Sequence, residues 1–326
     1  MNQEPVEKFI LIDTDAGGDD AWAIFIAVAA HRASSSTGIN IVGLTTTCGN
    51  ASVENVSENV TRTLLTVDEN TLPIYKGMSE YMMIPFKHLE EPPYNGDDGF
   101  GDASLPDIPP RLEAEHAVAA IIRLAEEYKG KLTIIALGPL TNLAMAIKLK
   151  PEIKGYIKEV FILGGNMDGL GNTTSAAEFN FFVDPEAAAI VVNSYPPCPL
   201  IILPWEICLT ATSTYAFRTE TLRSLNTPQI QLMDAVEAKN LDKNRESWLP
   251  PDAVLMACAL DNAIILERQD QFAGVEVNGT LTRGMLVVDK ARQTGNPPNI
   301  QLITKVNVTE YEGLLIWAAG GAKSSG

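Results

Sequence analysis

The chain has 326 residues, 46% of them hydrophobic, and a formal net charge of -17. That length and apolar content suit one large α/β domain. The acidic balance argues against nucleic acid and membrane surfaces as partners, because both call for basic patches, and leaves a small neutral substrate or a cation as compatible ligands.

The first element is an apolar run over 9–12 that leads into Asp13, Asp15, Asp19 and Asp20, with Gly17 and Gly18 between the pairs and an Ala-rich apolar segment after them. The pattern predicts a buried strand, a tight turn and a helix. Four carboxylates in one turn repel one another and call for a cation, and an all-oxygen ligand set favours a hard one, Ca²⁺ or Mg²⁺. Helix capping by Asp19 or Asp20 is the plainer reading, but it accounts for one or two of the acids. An EF-hand loop counted from Asp13 puts Ile24 where a bidentate Glu is required.

Next come a β-branched strand over Ile39–Thr46, ending in Thr47-Cys48-Gly49-Asn50, a helix over about 52–67, and a short apolar stretch at 72–75. Residues 81–110 are crowded with Pro, Gly and Asp and read as an irregular loop, a lid or pocket rim; Asp97, Asp98 and Asp102 read as exposed loop acids. A helix over 113–128, a strand over 131–136, a helix opened by Gly138-Pro139 and a strand over 159–163 ending in Gly164-Gly165 follow. Asp184-Pro185-Glu186 starts another helix. Beyond it lie a strand over Leu200–Leu203, helices over 218–225 and 228–241, one after Asp252, strands over 272–277, 283–289 and 300–305, and a last helix over 309–318.

Alternating strands and helices predict a single α/β domain over 1–326 with a mostly parallel, Rossmann-like central sheet flanked by helices. In such folds the site lies at the carboxyl ends of the strands, and four polar strand ends gather there. Asn172, Glu178 and Asn180 suit a polyhydroxylated ligand, or else bond their own loop. Asp252 reads as a helix cap or as a distant metal ligand, and Trp205 and Trp248 as platforms for a flat ligand or as packing residues. Cys48, Cys198, Cys208 and Cys258 sit in or beside apolar runs without a C-x-x-C, the pattern of reduced thiols in a cytoplasmic protein. Neither a signal segment nor a membrane span is expected. Sequons at Asn50, Asn55, Asn59, Asn172, Asn278 and Asn307 leave a trimmed secreted form open. His31, His88 and His116 are too scattered for a zinc site.

The segment IDTDAGGDDAWAI resembles the N-terminal signature of the inosine–uridine-preferring nucleoside hydrolases, with Ala16 where that family usually has Pro. The likeness continues through TTTCGN, ALGPLTNLA, the LGG turn and AEFNFFVDPEAA to Asp252, and so covers about 9–320. The resemblance implies Ca²⁺-dependent hydrolysis of ribonucleosides, purine nucleosides preferred, by a homodimer or homotetramer. It implies Asp15 as general base and metal ligand, Asp20, Asp252 and the Leu137 carbonyl as further ligands, and Asp13 as support. Asp19, Asn50, Asn172, Glu178 and Asn180 match the residues that grip the ribose, Asn180 also counting with Asp15 as catalytic. Where many members place a leaving-group His before the distant ligand, this chain has Pro251. Trp248 and Trp205 are then expected to stack on the base. Two other functions compete: a dehalogenase-like Mg²⁺ phosphatase using Asp13 and Asp15, and a protein that binds a nucleoside or sugar without cleaving it.

Overall fold

The computed structural model describes residues 7–88, 93–194, 199–241 and 246–322. Six parallel strands, β1 (Lys8–Thr14), β2 (Ile39–Thr46), β3 (Ile74–Lys76), β4 (Leu132–Ala136), β5 (Ile157–Leu163) and β6 (Leu200–Leu203), lie in the order β3-β2-β1-β4-β5-β6. The strand Ile300–Val306 continues the sheet parallel to β6, and Ile265–Gln271 closes that edge antiparallel. The order reverses between β1 and β4, which pair Asp13 with Ala136. That reversal opens a crevice at the carboxyl ends of the two central strands.

The strands read as continuous apolar runs because both faces are covered. Ile10 and Ile12 of β1 enter one core with Phe161 and Leu163 of β5, while Leu11 enters the other with Val160 and Ile162. Helix α1 (Gly18–Arg32) is buried almost all round. It packs against the helices Pro251–Leu260 and Val308–Ala318. A buried helix needs no polar stripe, which explains the unbroken run from Ala21 to Ala30.

Several expected bounds shift. The helix expected at 113–128 begins at Ala117, where His116 Nδ1 accepts from Val118 N at 3.2 Å. The helix expected at 228–241 ends at Val236, and 218–225 is a pair of non-α turns. The strands expected at 272–277 and 283–289 shorten to Ala273–Val275 and Leu286–Val288, which form a separate antiparallel pair. Cys48, Cys208 and Cys258 are buried and unpaired; Cys198 lies outside the described residues. Among the described residues no helix is long and apolar enough to cross a membrane.

Candidate active site

The DTDAGGDD turn leaves β1 at the strand reversal. Asp13 stays at the strand end, where its Oδ1 accepts from Thr45 Oγ1 at 2.6 Å and from Asn142 Nδ2 at 2.8 Å. Burial still pushes its carboxyl up to about 6. Asp20 does cap α1, since its Oδ2 accepts from Gly17 N at 2.8 Å, and Thr14 Oγ1 donates to its other oxygen. Capping therefore explains Asp20 in part and leaves Asp15 and Asp19 free of that duty. Ala16 has φ +32, a left-handed strain that costs a non-glycine residue about 1–3 kcal/mol.

Asp15 is 1% exposed, and Asn50 N donates to its Oδ2 at 2.8 Å. Two glycines clamp it. A Cβ on Gly138 would stand 2.7 Å from its Oδ1, and one on Gly49 would overlap its Oδ2. The glycines of the TTCGN and LGPL segments are thus fixed by the close approach of one carboxylate.

Asp252 arrives from the far end of the chain. It lies in the first turn of Pro251–Leu260 rather than at the cap, which is Pro250. Oxygens of Asp19, Asp20 and Asp252 lie within 4.8 Å of one another. Asp252 Oδ1 is buried with no partner. Burial raises all three carboxyls and that of Asp15; the charge of Asp20 then adds to Asp15 and Asp19, and that of Asp19 to Asp252, with Asp19 reaching about 7. Among the described residues no lysine or arginine neutralises them; their partners are a hydroxyl, amides and each other. Buried like charges with an orphaned oxygen and oxygen-only donors fit a hard divalent cation. Asp15 stands beside this trio, and Asp19, expected on the sugar, belongs to it by position.

Glu178 caps the short helix Phe179–Val183: its oxygens accept from Asn180 N at 2.9 Å, Gly165 N at 2.9 Å and Phe181 N at 3.1 Å. Burial nonetheless pushes its carboxyl up to about 7. Asn180 Nδ2 donates to the Leu137 carbonyl at 2.7 Å and to Leu163 O at 3.2 Å, which ties the ends of β4 and β5 together. Asn172 is exposed, and its Oδ1 accepts from Phe179 N at 2.8 Å, so that oxygen does bond its own loop.

One cavity of ≈ 670 Å³ is lined by Asp15, Asp19, Leu137, Glu178, Asn180 and Asp252. Trp205, Trp248, Glu237 and Pro251 line it as well, as do Tyr94 and Asn95 of the loop expected at the rim. Asp13 and Asp20 lie behind this surface. Sequence reasoning passed over four contributors. Thr14 and Asn142 hold the aspartates from inside quoted motifs. Asn95 Nδ2 donates to Asn50 Oδ1 at 2.9 Å across 45 residues of chain. His88, read above only as too scattered from the other histidines for a zinc site, also lines the cavity.

The family described as inosine-uridine preferring nucleoside hydrolase matches residues 10–313. The chain is 30% identical over 311 residues to the pyrimidine-specific ribonucleoside hydrolase RihA of an Enterobacter species, covering 94% of this chain and 96% of that one. Among solved structures, an inosine-guanosine nucleoside hydrolase superposes with a TM-score of 0.87 at 26% identity, covering 97% of this chain and 100% of the other. A purine-preferring ribonucleoside hydrolase from Gardnerella vaginalis gives a TM-score of 0.83 at 26% identity, over 96% of this chain and 98% of its own.

Proposed function

The chain belongs to the inosine-uridine preferring nucleoside hydrolases and is an N-ribosyl hydrolase, and from that premise we propose that it cleaves the N-glycosidic bond of ribonucleosides in a Ca²⁺-dependent reaction, with purine nucleosides preferred. Family membership sets aside the phosphatase and the non-catalytic alternatives. The observation that carries the finer reading is the set of buried, unneutralised carboxylates facing a cavity walled by indoles.

In this reading Asp15, Asp20, Asp252 and the Leu137 carbonyl would hold the ion; the oxygens of Asp20 and Asp252 cluster with one of Asp19. When bound, a hard divalent cation supplies the positive charge that orients ribose hydroxyls and acidifies a neighbouring water. Asp15 takes the water's proton; burial raises its proton affinity, and Asn50 N with Gly49 and Gly138 fixes its angle. Asn50, Asn172, Glu178, Asn180 and Asp19 pair with the ribose hydroxyls. A 2′-deoxynucleoside deprives the buried pair among them, Glu178 and Asn180, of a hydroxyl partner and is a poor substrate. The carboxylates stabilise the positive charge that builds at C1′ as the bond breaks.

Pro251 offers no proton to the departing base. Trp205 and Trp248, on the cavity wall, supply π-faces for stacking instead, and a purine presents more surface to them than a pyrimidine. The purine-acting structural relatives favour this preference, whereas the pyrimidine-specific RihA sequences point the other way. His88 facing the cavity favours a second route, protonation of the base by its imidazole. A dimer or tetramer in the cytoplasm completes the reading; light scattering tests the assembly.

Steady-state release of reducing sugar from inosine, guanosine, adenosine, uridine, cytidine and 2′-deoxyinosine is the deciding experiment, run with and without chelator and with Asp15→Ala. Purine ribonucleosides should lead the panel, and chelator or Asp15→Ala should cost about 10³-fold or more. Faster uridine or cytidine cleavage would reverse the base assignment, and full activity in chelator would remove the ion. Trp248→Ala set against His88→Gln separates stacking from protonation.

A further inference from the structure

A buried charged cluster that the reaction described above does not use reaches the cavity wall at Glu237. Arg218 is 0% exposed. Its Nε donates to Glu237 Oε2 at 2.6 Å, and its Nη2 stands 2.9 Å from Asp234 Oδ1. Glu237 comes from the residue just after Pro228–Val236, and its other oxygen accepts from two indoles, Trp22 Nε1 at 2.9 Å and Trp248 Nε1 at 3.3 Å. The two rings meet edge to face, with centroids 5.5 Å apart. The Arg218 guanidinium carbon lies 5.4 Å from the Trp22 ring and 6.0 Å from the Trp248 ring. Arg223 Nε donates to Asp234 Oδ2 at 3.0 Å, so the chain Arg223–Asp234–Arg218–Glu237 carries no net charge.

The sequence positions of these partners give the cluster its meaning. Trp22 follows Asp20 by two residues on α1, and Trp248 precedes Asp252 by four. One carboxylate oxygen therefore ties the helix that carries the acidic turn to the strand that carries the base-side indole. The χ2 of an indole is broad and roughly two-fold, so a held N–H adds to the edge-to-face contact with Trp22 in selecting one ring orientation. Glu237 holds it, and Arg218 aims Glu237 through the Nε–Oε2 bond; burial raises the Glu237 carboxyl, and the Arg218 charge offsets part of that rise.

We propose that Glu237 is a positioning residue for the leaving group: it fixes the Trp248 plane against which the departing base stacks, with Arg218 and Trp22 as its supports. The proposal rests on the nucleoside-hydrolase reading and adds a residue to which that reading gives no part in holding ribose or ion. It predicts an effect that depends on how much help the leaving group needs. A purine must be stabilised as it departs, whereas 4-nitrophenolate departs unaided.

The test compares the full-length, Ca²⁺-loaded wild type with Glu237→Gln, Glu237→Leu and Trp248→Phe on inosine and on 4-nitrophenyl β-D-ribofuranoside. Thermal melting checks that each variant folds. Losing an oriented stack is expected to lower kcat on inosine about tenfold in Glu237→Leu and Trp248→Phe. Glu237→Gln keeps an oxygen for the indole N–H groups and should stay within about threefold of wild type. On the nitrophenyl riboside Glu237→Leu should stay within about twofold of wild type. An equal loss on both substrates, or no loss on inosine, overturns the proposal. Quenching of tryptophan emission by hypoxanthine provides a readout without turnover: Glu237→Leu should weaken it and Glu237→Gln should retain it. If the wild type cleaves neither substrate, the hydrolase reading fails, and unchanged quenching in Glu237→Leu then separately overturns the positioning role.

Discussion

At the scale of single residues the site depends on what is kept small around Asp15. Gly49 and Gly138 come from different strand ends, and each stands where a methyl group would overlap the carboxylate. Gly49→Ala should therefore push Asp15 aside, and if Asp15 is the base proposed above, a shift of about 1 Å costs about 10²-fold in kcat. Steady-state kinetics with a melting curve checks this; an unchanged kcat would remove Asp15 from the chemistry. Glu178 gives a pH signature. Burial raises its carboxyl from 4.5 to about 7 in the folded state. The native protein then binds more protons than the unfolded chain between those values, so stability falls as pH rises through that window. In chelator the melting temperature should drop from pH 5 to pH 8, and Glu178→Gln should flatten the slope. A slope equal to wild type in Glu178→Gln would mean that other carboxyls carry it.

At the scale of elements the decisive feature is the strand reversal between β1 and β4, which gathers the TTCGN, ALGPL and LGG ends beside the acidic turn. The six parallel strands were legible as short apolar runs because they are buried on both faces, and the strand-end motifs were legible because their glycines and acids are neighbours in sequence. The strand Ile265–Gln271 was not, because ILERQDQ is a largely exposed edge whose charges match edge protection rather than a core pattern. Glu237 escaped for a different reason: its partner Trp22 lies 215 residues away, and no local pattern marks that contact. The loop over 93–102 shows the same limit. Its rim position could be read from composition, but its anchor could not. Asn59, 5% exposed, donates from Nδ2 to Ala16 O at 3.1 Å and to Asp98 O at 2.8 Å. It ties the loop to the acidic turn, and the same burial disqualifies its sequon as a glycan acceptor. Asn59→Ala should free the loop and raise KM about three- to tenfold more than it lowers kcat, with faster protease cleavage between 93 and 102. Equal protease sensitivity in variant and wild type would dissociate the anchor from the loop.

At the scale of the whole molecule the acidic cluster makes the fold and the ion interdependent. Asp15, Asp19, Asp20 and Asp252 come from opposite ends of the chain, and burial raises the carboxyls of all four. Without a cation their ionised forms oppose folding; with one, the same charges favour it, because the ion binds the native arrangement and not the dispersed acids. At a free ion concentration about 100 times Kd the gain is about 2.7 kcal/mol, or roughly 5 °C in melting temperature for a domain of this size. Asp252→Asn tests both halves of the argument at once. In chelator at pH 8 it removes one repelling charge, so the variant should melt above the wild type. On the ligand set proposed above, the order should invert in excess Ca²⁺, with the variant short of one ligand and the wild type gaining the ion's stabilisation. A variant that melts below the wild type in both conditions would show that Asp252 supports the helix Pro251–Leu260 and not an ion, whereas crossing curves would place the cation between the first and the last of the acids.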